Sequence, residues 1–317
     1  MLNFLHAPPP AIATFGAALF ALAAVVARTV VLSRRRAKLR RLFFALPPAA
    51  HDALVKDPMA VEAKGAARTI TYLSCRLPDA ARLERDLHGD PARFVRVLDG
   101  LLQSLTQSVL ATGGAVIDFG ANGFSACWNA PLTDINYAAH ACGAAARMLN
   151  TMQEHNRFPL NDAKGGAPQS MGIAIGIASG PAIAGVFAQS WSIAGECVAR
   201  AEELRMRCAT LGFSAIADAA TQANASTGFA LLDISDADDR VFALMGDQSV
   251  RASPKFRALS TFNERIFAAI SARAFADARE LIAQARKLSG ASSNFYDHLG
   301  ARIAQLETTG AAKQNVA

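Results

Sequence analysis

The side chains that could do chemistry in this chain are thinly spread. Cys75, Cys127, Cys142, Cys197 and Cys208 are odd in number, widely spaced and never arranged as CxxC. Zinc sites and disulfide frameworks need closely paired thiols, so reduced, mostly buried cysteines in a cytoplasmic domain are expected. The six histidines are equally scattered, with no HExxH that would set two imidazoles on one helix face. There is no GxxxxGK[ST] phosphate loop, GxSxG elbow or dinucleotide fingerprint. Any chemistry must come from residues that the fold brings together.

The elements available to do this follow from hydrophobic periodicity. Thr69 to Ser74 is a β-rich run, and Pro91 to Ala111 has helical spacing through Phe94, Val97, Leu98, Leu101, Leu102 and Leu105. Asp90 before Pro91 suits an N-cap followed by proline in the first turn. Ala115 to Phe119 and Gly123 to Trp128 flank Ala121-Asn122-Gly123, and Asn-Gly between apolar runs signals a hairpin. A helix over Asp134 to His155 follows, then a loop to Gln169. Met171 to Ser179 and Ala182 to Phe187 read as a strand pair turning at Gly180-Pro181. A helix over Glu196 to Leu211 precedes β-rich pieces at Ser214 to Ala217, Phe229 to Ile234 and Arg240 to Met245. Strands alternating with helices and hairpins predict an α/β sandwich around a mixed sheet.

Charge is local. The 317 residues carry a formal charge of +6, but Arg28, Arg34, Arg35, Arg36, Lys38, Arg40 and Arg41 lie in a segment without an acid, and removing these seven from the 32 lysines and arginines leaves 25 against 26 acids. A nucleic-acid footprint spread over a domain is thereby excluded. Residues 11–27 are uncharged and apolar character resumes through Leu32, about the 20 residues that cross a bilayer core. The charge follows the apolar run instead of preceding it. A single-pass inner-membrane helix is expected, with a short external N-terminal tail and a cytoplasmic C-terminal domain, and not a cleaved signal peptide.

Beyond Pro254 the pattern is helical. Ala278 and Ala285 around Ile282 suggest the second helix of a tetratricopeptide-type pair, with a structural cap as the equal alternative.

Several of these segments, in this order, resemble the bacterial membrane-anchored class III adenylate/guanylate cyclases. GGAVIDFGANGFSACWNAP, Gly113 to Pro131, is similar to the family's GGxVDKFxGDxxMAFWxAP; MGIAIGIASGPAIAGVF, Met171 to Phe187, is similar to its xIGIxxGxxxxGxxG segment; and SWSIAGECVARAEEL, Ser190 to Leu204, is similar to DYTxxGDxVNxAxRL. LRRLFFALPPAAHDALVKDP, Leu39 to Pro58, looks like the family's connector.

The resemblance implies a ferredoxin-like βαββαβ core in an α+β sandwich. The expected division is an external tail over 1–10, a transmembrane helix over 11–33, a basic connector over 34–66, a cyclase-like domain over 67–250, a TPR-like hairpin or cap over 255–310 and a disordered tail over 311–317. It also implies two aspartates holding two hard divalent ions. Here those positions fall at Cys75, or Arg76 if the register slips by one, and at Asn122. A thiol, a guanidinium and a neutral amide are poor ligands for magnesium. The base-selecting positions fall at Asp118 and Ser190, the ribose-orienting one at Ala199, and the one that stabilises phosphate charge at Glu203, whose sign would repel that charge.

Arg200 and Arg205, helical neighbours of Glu203, point away from its direction, and Asp79 is the one candidate replacement ligand. On the residues alone, Cys75 is a small core residue, Asn122 a turn residue and Glu203 a solvated helix charge. The expectation is a catalytically degenerate member without a cofactor: a dimerisation or regulatory module, homodimeric or paired with another cyclase-type domain. The alternatives are an active cyclase using Mg2+ or Mn2+ through substituted ligands, and a scaffold that binds a protein through its C-terminal helices.

Overall fold

The computed structural model describes residues 9–57, 65–87, 89–157, 170–187, 190–225, 228–235, 239–289 and 293–314. The expected loop to Gln169 and the external tail before Pro9 lie outside these residues.

The first helix, α1 (Pro9–Leu42), is continuous through the expected boundary at 33/34. Its segment Gly16–Arg40 is the one helix among the described residues long and apolar enough to cross a membrane by length and composition. Pro47 and Pro48 then break the chain, and α2 (Pro48–Lys56) starts with proline in its first turn, where the missing N–H costs nothing. Between the two helices Ala45 pairs with the sheet edge, its carbonyl accepting from Val116 N–H at 2.9 Å.

The domain opens with β1 (Ala66–Arg76), then a short α3 (Ala80–Asp86) and α4 (Pro91–Leu110). Asp90 caps α4 as expected, its carboxylate accepting from Arg93 N–H at 3.0 Å. The hairpin β2 (Ala115–Gly120) and β3 (Gly123–Trp128) follows, then α5 (Tyr137–Arg157), β4 (Ala174–Phe187), β5 (Ser190–Ala194) and α6 (Glu196–Leu211). Gly212, at φ 74°, ends α6 in a left-handed cap that favours glycine. The core finishes with β6 (Ala215–Asp218), α7 (Ala219–Ala225), β7 (Phe229–Asp233), β8 (Val241–Asp247) and α8 (Gln248–Ala252).

The strands run β2-β3-β1-β4-β6-β8-β7, with β5 added to the far end of β4. β1 is antiparallel to both β3 and β4, whereas β4 and β6 are parallel. The first four strands and their helices make the expected βαββαβ unit.

The strand pair expected around Gly180-Pro181 does not form. β4 does not turn at Gly180-Pro181 but runs straight through, with Pro181 opposite Thr69. Antiparallel pairing with β1 over Ala66 to Arg76 holds it extended through the proline. β5, absent from the strand pattern, pairs antiparallel with the end of β4, Ser190 opposite Phe187 and Trp191 opposite Val186.

The sheet buries both faces. Leu73, Cys75, Phe124, Ala126, Ile175 and Ile177 pack under α3, α4 and α5. The other face, with Tyr72, Cys127 and Ala178, packs under α6 and joins a core that includes Leu39 and Phe43 of the connector. The glycine at 176 lets α6 lie on β4, since a Cβ there would sit 1.9 Å from the Ala201 carbonyl oxygen.

The last helices, α9 (Pro254–Ser271), α10 (Phe275–Ser289) and α11 (Ser293–Gln314), extend this second core. Phe213 meets Phe295 at 5.8 Å between ring centroids, and Asn263 donates to the Asp233 carbonyl at 2.7 Å while accepting from the Tyr296 hydroxyl at 2.9 Å. Ala278 and Ala285 are buried in that packing. The helix continues to Gln314, past the expected start of the tail at 311.

Candidate functional site

The residues singled out by sequence converge only in part, around the β2–β3 turn and the strand beside it. Leu77 N–H donates to the Asn122 carbonyl at 2.7 Å, and Arg76 is the register partner of Gly123. A Cβ at 123 would lie 2.1 Å from the Cys75 carbonyl oxygen, so glycine permits this approach.

Strand alternation then separates the two candidate positions on β1. Cys75 faces the helices of the first core and is fully buried. Its thiol, pushed up to about 12 by burial, stays protonated. Arg76 is the residue on the face of the turn, and its guanidinium donates to the carbonyls of Cys75 at 2.9 Å and Phe124 at 3.3 Å.

Asn122 is exposed at the tip. A divalent ion at this turn would meet a fixed cation, a neutral amide and, on the far side of the sheet, a neutral thiol; hard ions require converging oxygen anions. The side chains present do not fit the ion pair that the resemblance implies. Asp79 is already occupied, accepting from Gly172 N–H at 2.7 Å and facing Arg82 at 3.7 Å.

A polar row that the motifs did not reveal crosses the same sheet face. Ser74 lies opposite Ser125 on β3 and Gly176 on β4, and Ser125 lies opposite Asp118 on β2. Above the row, Glu202 of α6 accepts from the Ser74 hydroxyl at 2.7 Å and from Arg205 Nε at 2.9 Å. Partial burial opposes the Glu202 charge. The hydrogen bonds from Ser74 and Arg205, with the charges of Arg205 and Arg76, overcome that and hold its carboxyl below the usual range. Burial raises the Tyr72 phenol against a Ser125 hydrogen bond, helped by Glu202, Cys127 and Asp118. The row has its own internal partners and places no cation-binding carboxylate at the turn.

Two further motif positions, Ala199 and Glu203, lie on the outer flank of α6. Ala199 is exposed and offers no polar atom. Glu203 accepts from Arg200 at 2.8 Å and faces Arg207 at 3.6 Å, and both arginines also pair with Asp239. Arg200 therefore neutralises Glu203 instead of standing in for a free arginine, while Arg205 serves Glu202. Asp118, exposed on β2 beside a register shift, and Ser190, exposed at the start of β5, sit on separate strands. The signal for Glu202 was present in its spacing: it precedes Arg205 by three residues, on the flank of α6 that faces β1 and β4.

No family model and no curated protein matches the chain. Solved structures do. Two structures of a bacterial light-regulated adenylyl cyclase superpose with TM-scores of 0.54 and 0.53 at 13% and 15% identity, covering 70% and 72% of this chain and 63% and 65% of those chains. The guanylyl cyclase Cya2 matches with a TM-score of 0.49 at 18% identity, over 58% of this chain and 94% of that one. The chain thus has a mixed α/β fold like that of the adenylyl cyclase structures, with one N-terminal apolar helix. At these identities the likeness is one of fold.

Proposed function

We propose that this chain is a membrane-tethered nucleotidyl cyclase homology domain without cyclase activity, acting as a dimerisation or regulatory module in cyclic-nucleotide signalling. The carrying observation is Arg76. At the strand end beside the Asn122 turn, on the one-residue slip of register that the resemblance allows, a hydrogen-bonded guanidinium stands at the position of a metal-binding carboxylate, and on the other register a buried thiol does. Glu203 and Asp239 tie up Arg200 and Arg207, so among the described residues no free cation stands where the resemblance implies one for phosphate charge. Both halves of the motif set are altered, so on this reading the chain cannot complete the site of a partner either.

The tether is supported by the apolar stretch of α1, and a cytoplasmic domain by the basic residues that follow it. Pairing with a second domain of the same type, in a homodimer or heterodimer, is supported by large apolar side chains left open on the sheet edge and the β4–β5 arm: Phe119, Ile183, Val186 and Phe187 are 37 to 50% exposed.

The test is cyclase activity of the full chain with ATP or GTP and manganese, beside a variant carrying Arg76→Asp, Asn122→Asp and Glu203→Arg. No cyclic nucleotide above a heat-inactivated blank is expected from the unaltered chain, and manganese binding by calorimetry is expected only in the variant. Cyclic nucleotide from the unaltered chain sinks the proposal.

A further inference from the structure

The charge of α1 is arranged around the helix axis in a way that its sequence alone does not show. Leu32 packs against the second core, Arg35 donates to the Val55 carbonyl at 3.1 Å, and Leu39 is buried. At about 100° per residue these three fall within roughly 60° of one another, forming one docked stripe. Arg36 and Arg40 lie on one flank of that stripe, Arg34 on the other, and all three are exposed. Helix α1 contains no acid. In the crevice beside it, lined by Arg40, Phe43, His51 and Asp52 among others, the carboxylate is Asp52, 3.8 Å from His51 Nδ1. The domain is thus fastened to one side of the helix, and the remaining circumference presents fixed positive charge.

Depth decides what these charges meet. Arg34 and Arg36 lie about 3 and 6 Å along the helix past Leu32, and Arg40 about 12 Å past it, whereas the headgroup layer is about 5–7 Å thick on each side of the hydrocarbon. Two arginines therefore fall within that layer and the third just beyond it. Arginine is a preferred partner of phosphate because its planar fork donates two parallel hydrogen bonds.

We infer that this collar is a binding surface for anionic phospholipid headgroups, which hold the domain against the bilayer through the flanks of the helix that its docked stripe leaves free. The inference rests on the reading of α1 as a membrane span. It adds a lipid class and the residues that select it. Because Leu32, at the foot of the apolar stretch, already touches the domain core, lipid bound at Arg34 and Arg36 acts within one or two helical turns of the joint between helix and domain.

The full chain is purified in a neutral detergent and offered phosphatidylglycerol or phosphatidylcholine, and retained lipid is counted by native mass spectrometry. Phosphatidylglycerol should be retained in preference, with the preference falling steeply in high salt. In Arg34→Gln/Arg36→Gln/Arg40→Gln it should drop on the order of a hundred-fold, at about five-fold per surface charge. The matching triple lysine variant should keep most of it, which separates lost charge from lost folding. Equal retention of the two lipids, or a preference that survives the glutamine variant, overturns the inference. Carbonate extraction of the chain from phosphatidylcholine vesicles tests the span separately: release there overturns the membrane reading whatever the lipid preference.

Discussion

Ser74 on β1 donates its hydroxyl to Glu202 on α6 at 2.7 Å, joining the central strand to the helix that carries Ala199 and Glu203. Ser74 is fully buried and Glu202 is not. The bond is therefore a charge-assisted contact at the rim of the core, strong enough to register yet partly screened.

A pH dependence follows from this contact. The folded-state pKa of Glu202 is lowered, so the stability it contributes is fully present above the ordinary glutamate value of about 4.3 and is lost as pH falls through the lower folded value. Glu202→Gln should lower the urea midpoint at neutral pH, and its gap from the unaltered chain should close below that range. Ser74→Ala should cost about 1 kcal/mol at neutral pH and narrow the same gap. A gap that does not change between pH 7 and pH 3 removes Glu202 as a charged partner.

The contact between α6 and β4 makes a second prediction. A Cβ at residue 176 would lie 1.9 Å from the Ala201 carbonyl oxygen and 2.5 Å from Arg205 N, both backbone atoms that cannot swing aside. Gly176→Ala should therefore destabilise the chain by about 1–3 kcal/mol or more, lowering its Tm and weakening the Glu202 contact as α6 shifts. Gly143→Ala, inside α5 with nothing nearer than 3.7 Å to its new methyl, is the control and should be neutral or stabilising by up to about 1 kcal/mol. Equal effects of the two would mean that α6 is not seated on Gly176.

Much of this architecture was legible from residues. Asp90 before Pro91 marked the start of α4, Asn122-Gly123 marked the hairpin, and Glu196 to Leu211 has the bounds of α6. Each is a local signal whose physics is complete within a few residues. β4 was misread because Gly180-Pro181 is a local turn signal, and the long-range pairing of β1 overrode it. The site was half legible for a related reason. Motif similarity located the turn, but which of Cys75 and Arg76 is buried depended on which face of β1 meets the helices of the first core, and Glu202 became a partner only through a strand 128 residues away in sequence. The C-terminal alanines read as a repeat signature, yet helices of any origin need small residues where they pack closely, and Ala278 and Ala285 are used within the core.

The joint between helix and domain can be tested through the tryptophans, of which the chain has two. Phe43, at the end of the connector helix, meets Trp191 of β5 with ring centroids 4.9 Å apart, and both rings are buried. Trp128 is also buried, but on the opposite face of the sheet, with its indole N–H donating to the Thr112 carbonyl at 3.2 Å. Phe43→Ala removes an aromatic side chain from the edge of the second core, at a cost of about 3 kcal/mol to the docking of the connector. Cooperative unfolding of the sheet should be nearly unchanged, because its strand pairing does not pass through Phe43. Emission from Trp191 should shift to longer wavelength, isolated with a Trp128→Phe background, while Trp128 in a Trp191→Phe background stays fixed. A Trp191 emission indifferent to Phe43 would mean that α1 ends free of the sheet, so that whatever happens at the membrane could reach the domain only through a loose link.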